Sequence, residues 1–449
     1  MHSLGRAACH LTRPLLLASL LVSGGCVSMS YTQDPLEQHI SAQKPAAALK
    51  VLEEQKVNAR DQALYHLNKA VLLRMNGELD GSNAELETAK QISKKLDAVS
   101  LREQAAAVTV NDAMRSYLPP PFEQAMLYCL KILNYLELND LEGARVEALQ
   151  LDVLLKQKYE EKEPAFARYL SGLVFEANHE LSDALIAYRK AYEAYQAAEK
   201  NIPPQLQADL LRLSDQQGLK DEHQRYLEEF KLDNWPHQAD LDKQGEYIAI
   251  VFTGLAPHKH ETSIMAQDPS SGQLHRISIP FYEQRKSQVA NFTLINLNQS
   301  KGSERFARID EQASASLSDK MPGIIARTVA RVAVKNKISD NMAGQSQLLG
   351  AITNIAGFIL EHADTRTWNT LPQEILLSRL PLAPGAYDIE VKLKNSANIN
   401  ITSKEIHQIS LQQKQKRFFS WHWPASSVTS KDDSNAKTTV TTTVHHRIH

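Results

Sequence analysis

The chain has 449 residues, 43% hydrophobic and 23% charged, with 50 lysines and arginines against 52 aspartates and glutamates. Its length supports two or three domains with full cores. The formal net charge of −2 excludes the basic footprint that nucleic acid requires.

Arg6 and Arg13 precede an apolar run from Leu15 to Val22 that is too short to span a bilayer. It continues into Leu21-Val22-Ser23-Gly24-Gly25-Cys26, small residues followed by a cysteine. Residues 1–25 are therefore expected to be a lipoprotein signal peptide, with Cys26 as the lipidated first residue of the mature chain. The competing reading is an ordinary cleaved signal that leaves a soluble periplasmic protein. Ser23 stands where bacterial lipoproteins usually carry leucine, while Gly24 and Gly25 meet the small-residue requirement. Similarity to bacterial lipoproteins implies that Cys26 carries a thioether-linked diacylglycerol and an amide-linked chain such as palmitate. Several chains make such an anchor stable. In that class an aspartate after the cysteine retains the protein in the inner membrane, and Val27 implies the outer one. Cys9 leaves with the signal and Cys129 sits alone on an apolar helix, so no intrachain disulfide forms. Cys129 reads as a small buried apolar residue.

From 26 to 235 the pattern is helical, with an internal repeat. In the clearest unit, Ala165 to Ala198, the residues Gly172, Phe175, Leu181, Ala184, Tyr188 and Ala191 alternate small and large as tetratricopeptide repeats do. Two antiparallel helices approach closely only if small residues on one receive bulky ones from the other. A second unit, Ala63 to Ile92, and a third, Ala125 to Leu155, keep that register, with Ile132 and Ala148 exchanged in size. Ala48 and Leu52 mark a degenerate first unit, and Leu211, Gly218 and Leu227 a last one. Residues 97–122, with three prolines, read as an insertion that bends the solenoid. The inner wall would be formed by Leu67, Val71, Met75, Leu133, Leu136, Tyr169 and Leu173. So apolar a wall suits an amphipathic helix or the chain's own C-terminal half; core packing of a plain helical bundle is the alternative.

After Trp235-Pro236-His237-Gln238 the period changes to two, and 240–424 is expected to be β-rich and sandwich-like. Tyr247 to Phe252 is apolar on both faces and should be a central strand. Leu274 to Ile279 and Val289 to Leu297 read as strands, with a turn at 268–272. Tyr387, Ile389, Val391 and Leu393 alternate with Asp388, Glu390 and Lys392 after the turn Pro384-Gly385. A helical pair is expected as an insertion over 316–361. Its first member, Met321 to Lys337, sets Arg327, Arg331 and Lys335 on one stripe, read as a solvated face. Its second, Gln347 to Glu361, is apolar nearly all round. Phe419, Trp421 and Trp423 suit one face of a last strand, in preference to a membrane-surface element. Residues 425–449 are expected to be a disordered tail whose histidines bind metal only adventitiously.

The segment Asp364-Thr365-Arg366-Thr367-Trp368-Asn369-Thr370-Leu371-Pro372 follows the second helix of the inserted pair directly, and in it Asp364 and Arg366 can pair. Trp368 is either a partner-binding anchor or a core residue, the core being preferred. His258 and His260, with Glu261 beside them, imitate a metal site without a distant third ligand and read as a polar loop. No nucleophile elbow, zinc-protease helix, phosphate loop or dinucleotide fingerprint is present. No enzyme, cofactor or metal is therefore expected.

A lipidated cysteine, degenerate helical repeats, a β-rich half, a basic helix, the Asp364 to Pro372 segment and Leu380-Pro381-Leu382-Ala383-Pro384-Gly385 together resemble a family of tetratricopeptide-containing outer-membrane lipoproteins of Gram-negative bacteria. The resemblance spans nearly the whole mature chain and brings no catalytic residue. Members are encoded near lipoproteins that activate penicillin-binding proteins, which implies partners in cell-wall synthesis. The expected function is a lipid-anchored, periplasm-facing scaffold that binds envelope proteins through its repeats, with Arg366 and Trp368 as further candidate binding residues. The alternative is an enzyme or ligand-binding lipoprotein acting on cell-wall glycan or lipid.

Overall fold

Small and large residues at helical spacing produce helical hairpins throughout the first half of the chain. The computed structural model describes residues 33–103, 115–160, 162–267, 274–297, 299–343 and 362–425. The signal region with Cys26, the turn at 268–272, the apolar segment 347–361 and the tail from 426 lie outside the described residues.

Among the described residues five hairpins follow in chain order. They are α1 (Gln33–Ser41) with α2 (Pro45–Glu54), α3 (Gln62–Met75) with α4 (Leu79–Glu103), α5 (Pro121–Glu137) with α6 (Leu141–Lys158), α7 (Ala165–Ala177) with α8 (Leu181–Ala197), and α9 (Pro204–Gln216) with α10 (Lys220–Phe230). Each hairpin turns on one residue in the left-handed region: Gln43, Gly77, Asn139, His179 and Gly218, with φ between 58° and 83°. At each turn that residue's N–H and the next one's reach back to carbonyls of the last helical turn, for example Asn139 to Leu136 at 3.1 Å and Asp140 to Tyr135 at 2.8 Å. This is the Schellman stop, which satisfies carbonyls that a helix end leaves open. α4 runs on to Glu103, so the expected insertion begins as helix. Ile132 and Ala148 are both fully buried; their exchange keeps one small and one large residue across the pair.

The closest approach lies within α7/α8. A Cβ added to Gly172 would sit 2.3 Å from the Tyr188 ring. That ring is fully buried, stacks on Tyr169 with centroids 5.1 Å apart, and donates its hydroxyl to Glu176 at 2.7 Å. Gly172→Ala is therefore expected to destabilise by about 1–3 kcal/mol through overpacking, although alanine favours helix by roughly 1 kcal/mol. Urea unfolding measures this; an unchanged midpoint would mean that the ring yields freely.

A short helix, α11 (Gln238–Leu241), leads into β1 (Gly245–Thr253). The strands that follow are β2 (His258–Gln267), β3 (Leu274–Glu283), β4 (Asn291–Ile295), β5 (Ser300–Gly302), β6 (Glu304–Arg308), then, after helix α12 (Ile309–Ala343), β7 (Glu374–Leu382), β8 (Gly385–Lys394), β9 (Asn400–Leu411) and β10 (Lys416–Trp423). One four-stranded sheet has the order β10-β1-β7-β6, a second β5-β4-β8-β9, and β2 and β3 form a hairpin. β1 runs parallel to β10 (Glu246 opposite Lys416) and antiparallel to β7.

The two four-stranded sheets make the sandwich. Tyr247, Ala249 and Val251 of β1 and Leu376 and Leu380 of β7 face Phe292, Leu294, Ile389, Val391 and Leu393 of the second sheet. Phe419, Trp421 and Trp423 pack at the edge of the same core, as the strand reading of that segment required. Tyr387 donates to the Ala383 carbonyl at 2.7 Å and fixes the turn before β8. The opposite face of the first sheet, with Ile248, Ile250, Phe252, Phe306, Ile375 and Leu377, shares one core with the helices. That is why β1 is apolar on both faces.

The chain is thus α+β, a tetratricopeptide-like helical array followed by a β-sandwich with a helix inserted between β6 and β7. The inserted helix begins at Ile309, earlier than expected, and carries Pro322 within it. Of its basic stripe, Arg331 is buried at 4% exposure and Arg327 is half-buried, while Lys335 lies outside the residues whose side chains are described. Among the described residues no helix is long and apolar enough to cross a membrane.

Candidate interaction sites on the helical array

The inner-wall residues lie where the repeat spacing put them, on α3, α5 and α7, and the β half covers them. Leu67, Val71, Leu133, Leu136, Tyr169 and Leu173 are at most 2% exposed, and Met75 packs beside them partly buried. Tyr169 meets Phe306 of β6 with ring centroids 4.3 Å apart. The wall is therefore not an open groove for a partner. Its occupant is the chain's own C-terminal half, one of the two occupants that so apolar a surface suits.

Trp368 is fully buried in the same core. Its indole N–H donates to Thr370 Oγ1 at 2.9 Å, and that hydroxyl donates to Asn68 of α3 at 3.0 Å. Arg366 pairs with Asp364 through two nitrogens at 2.8 Å and with Asp61 at 2.8 Å. Glu123 of α5 accepts from the Trp368 N–H at 3.0 Å, the Thr367 hydroxyl at 3.1 Å and the Tyr117 hydroxyl. Burial raises the Glu123 carboxyl above its ordinary range, against the pull of those donors. The segment is a seam that stitches the β half to α3 and α5, and Trp368 is core.

A second seam carries charge. Arg379 of β7, 1% exposed, donates to Glu246 at 2.6 and 2.7 Å, to Asp209 at 2.9 Å and to Glu176 at 3.0 Å. Arg212 reaches Asp209 at 2.9 Å and Glu176 at 3.0 Å, while Lys416 reaches Glu176 at 2.9 Å. Three carboxylates and three cations balance. Burial alone would raise the Glu246 carboxyl, but Arg379 and Lys416 hold it down at about 2; Glu176 is held well below its ordinary value by Arg212, Arg379 and Lys416 against the same penalty. Beside this cluster opens a cleft of about 340 Å³ lined by Glu176, His179, Gln238, Glu246, Lys414 and Lys416. None of these charged residues was singled out in the sequence. The available signal was a lone charge inside an apolar run, as in Glu374–Leu382.

The histidine group lies on strand β2, not in a loop. His258 pairs with Glu37 of α1 at 2.9 Å, and His260 with Glu283 at 3.0 Å. Among the described residues no group of three or more candidate ligands could hold a metal. Cys129 is 1% exposed, and burial pushes its thiol well up.

The second helices of the hairpins form an outer wall joined by ion pairs. Lys158 of α6 meets Asp97 of α4 at 2.8 Å, Lys190 of α8 meets Asp152 of α6 at 2.9 Å, and Arg189 of α8 meets Glu222 of α10 at 2.7 Å. On this wall α6 exposes Val146, Leu149 and Val153 by 50%, 45% and 53%, and α8 exposes Ile186 by 47%. At 100° per residue the three α6 positions fall within about 60° of arc. They form one stripe, pointing away from Ala144, Ala148, Leu151 and Leu155, which fill the core.

No protein-family model matches the chain, and no curated protein matches it. Among solved structures, MamA AMB-1 is similar at 15% identity and a TM-score of 0.28, covering 45% of this chain and 87% of that one. MamA MSR-1 is similar at 13% identity and a TM-score of 0.27, covering 45% and 91%. Scores so low carry no argument about fold or function; the repeat architecture rests on the five hairpins.

Proposed function

We propose that the chain is a scaffold of the bacterial cell envelope, anchored through lipid on Cys26 to the outer membrane and facing the periplasm, which holds partner proteins on the outer wall of its helical array. The observation that carries this is the exposed stripe Val146, Leu149 and Val153 on α6 beside Ile186 on α8. Contiguous apolar surface on a folded protein marks an interaction site more often than isolated apolar residues do. The inner wall cannot serve, because the β-sandwich fills it. The family resemblance of the sequence supports cell-wall synthesis factors as the partners, and the small-residue run ending in Cys26 supports the anchor.

A photoreactive residue at position 149, in growing cells, tests the docking face against a control at exposed Glu228 on α10. Crosslinks to protein, whether another envelope protein or a second copy of this chain, are expected from position 149 and not from 228; equal recovery from both sinks the proposal. Cys26→Ser is expected to abolish lipid labelling and release the chain from membranes. If that variant still pellets with membranes, the anchor lies elsewhere. The cleft beside Glu176, Glu246 and Lys416 favours one second reading, a small polar ligand such as a cell-wall glycan fragment. Retention of peptidoglycan fragments by the purified chain would support it.

A further inference from the structure

We infer that the α6 stripe is the two-fold contact between two copies of this chain, packed with their α6 helices antiparallel; the inference rests on the outer wall being the docking face. The stripe has a charge at each end. Glu142 stands seven residues before Leu149, and Lys156 seven residues after it. Both side chains are exposed, and among the described residues Lys156 pairs with Asp152 of its own helix, at 2.7 Å. At 100° per residue, Glu142, Val146, Leu149, Val153 and Lys156 all fall within about 80° of arc.

Such a stripe complements itself. A two-fold axis through Leu149 places Leu149 against its own copy and Val146 diagonally near Val153. It also sets each Glu142 against a Lys156, in two symmetric ion pairs about 21 Å apart along the helix. In the parallel arrangement the same stripe would bring Glu142 to Glu142 and Lys156 to Lys156, so the charges select the antiparallel one. An unrelated partner would have no reason to match this spacing about Leu149. A single helix face buries less than the roughly 1,200 Å² of a stable dimer. Association is therefore expected to be weak in dilute solution and favoured where the chains are concentrated, as on a membrane surface.

Site-directed disulfide crosslinking of the full chain in cells tests the geometry. Cys129 is buried, so it does not compete. Leu149→Cys, on the axis, should give a self-linked dimer on mild oxidation. Glu142→Cys alone should not, and Glu142→Cys together with Lys156→Cys should. On the Leu149→Cys background, Glu142→Lys or Lys156→Glu alone should lower the linked fraction about tenfold or more, since like charges then face each other, and the double reversal should restore it. All of these residues are exposed, and circular dichroism of each variant confirms the fold. Linkage of Leu149→Cys to a different envelope protein overturns the second copy as occupant and leaves the scaffold standing. Equal linkage at every position overturns the two-fold register. No linkage from position 149 to anything overturns both the dimer and the docking face.

Discussion

Arg379→Met is expected to cost on the order of 3–5 kcal/mol of stability, because it leaves Glu176, Asp209 and Glu246 buried around one fewer cation. Among the described residues Arg379 is the side chain that touches all three carboxylates. Arg379→Lys should fall between the two, since an ammonium cannot reproduce the two-nitrogen grip on Glu246. Equilibrium urea unfolding measures both, and a methionine variant as stable as the parent would show that the cluster contributes nothing net. The same seam sets the acid response. Glu176 and Glu246 are depressed in the fold, so their contribution is complete above the ordinary carboxylate range and is lost as pH falls below it, for Glu246 through about 2. Glu123 works in the opposite direction: its raised carboxyl favours the fold at low pH and loses that contribution as pH rises through its folded value. Most of the shifted carboxylates among the described residues are held down like these two, Glu87 and Asp152 among them, so the urea midpoint should decline between pH 5 and pH 2. The decline should be shallower in Arg379→Met.

Trp368→Ala is expected to cost roughly 3–5 kcal/mol as a large buried side chain is removed. It also leaves Thr370 without its indole donor. Any loss of partner binding by this variant should track its loss of fold, measured by circular dichroism on the same preparation. A variant that keeps its melting temperature and loses partners would place Trp368 on a surface, against its full burial.

Period-two patterns were the most legible part of the sequence. β8 shows its alternation directly, β10 keeps Phe419, Trp421 and Trp423 together, and β1 announces two buried faces. β7 went unseen because it too is buried on both faces and so lacks alternation, while Pro381 within it argues against a strand. The repeat spacing located the inner-wall residues. It did not reveal their cover, although a strand apolar on both sides needs a second surface, and the helical wall was the one available. The charged seam was hidden for a different reason. Arg212, Glu176 and Arg379 look like ordinary charges until folding brings α7, α9 and β7 together. Arg331 misled because a basic residue on a helix stripe is usually solvated, and here its side chain is buried. On α6 the sequence is apolar around most of the helix, and only the packing shows which residues are left outside.

The parallel pairing of β10 with β1 joins residues about 170 positions apart in the chain. Synthesis proceeds from the N-terminus, so β1 waits for its neighbour until about 170 further residues have been made. Until then the sheet that closes the helical wall has an unfilled edge, and a nascent chain carries sticky surface on both of its halves. Loss of β10, Lys416–Trp423, would make that condition permanent. Premature stop codons ahead of β10 should therefore yield aggregation and degradation, not a shortened but working protein.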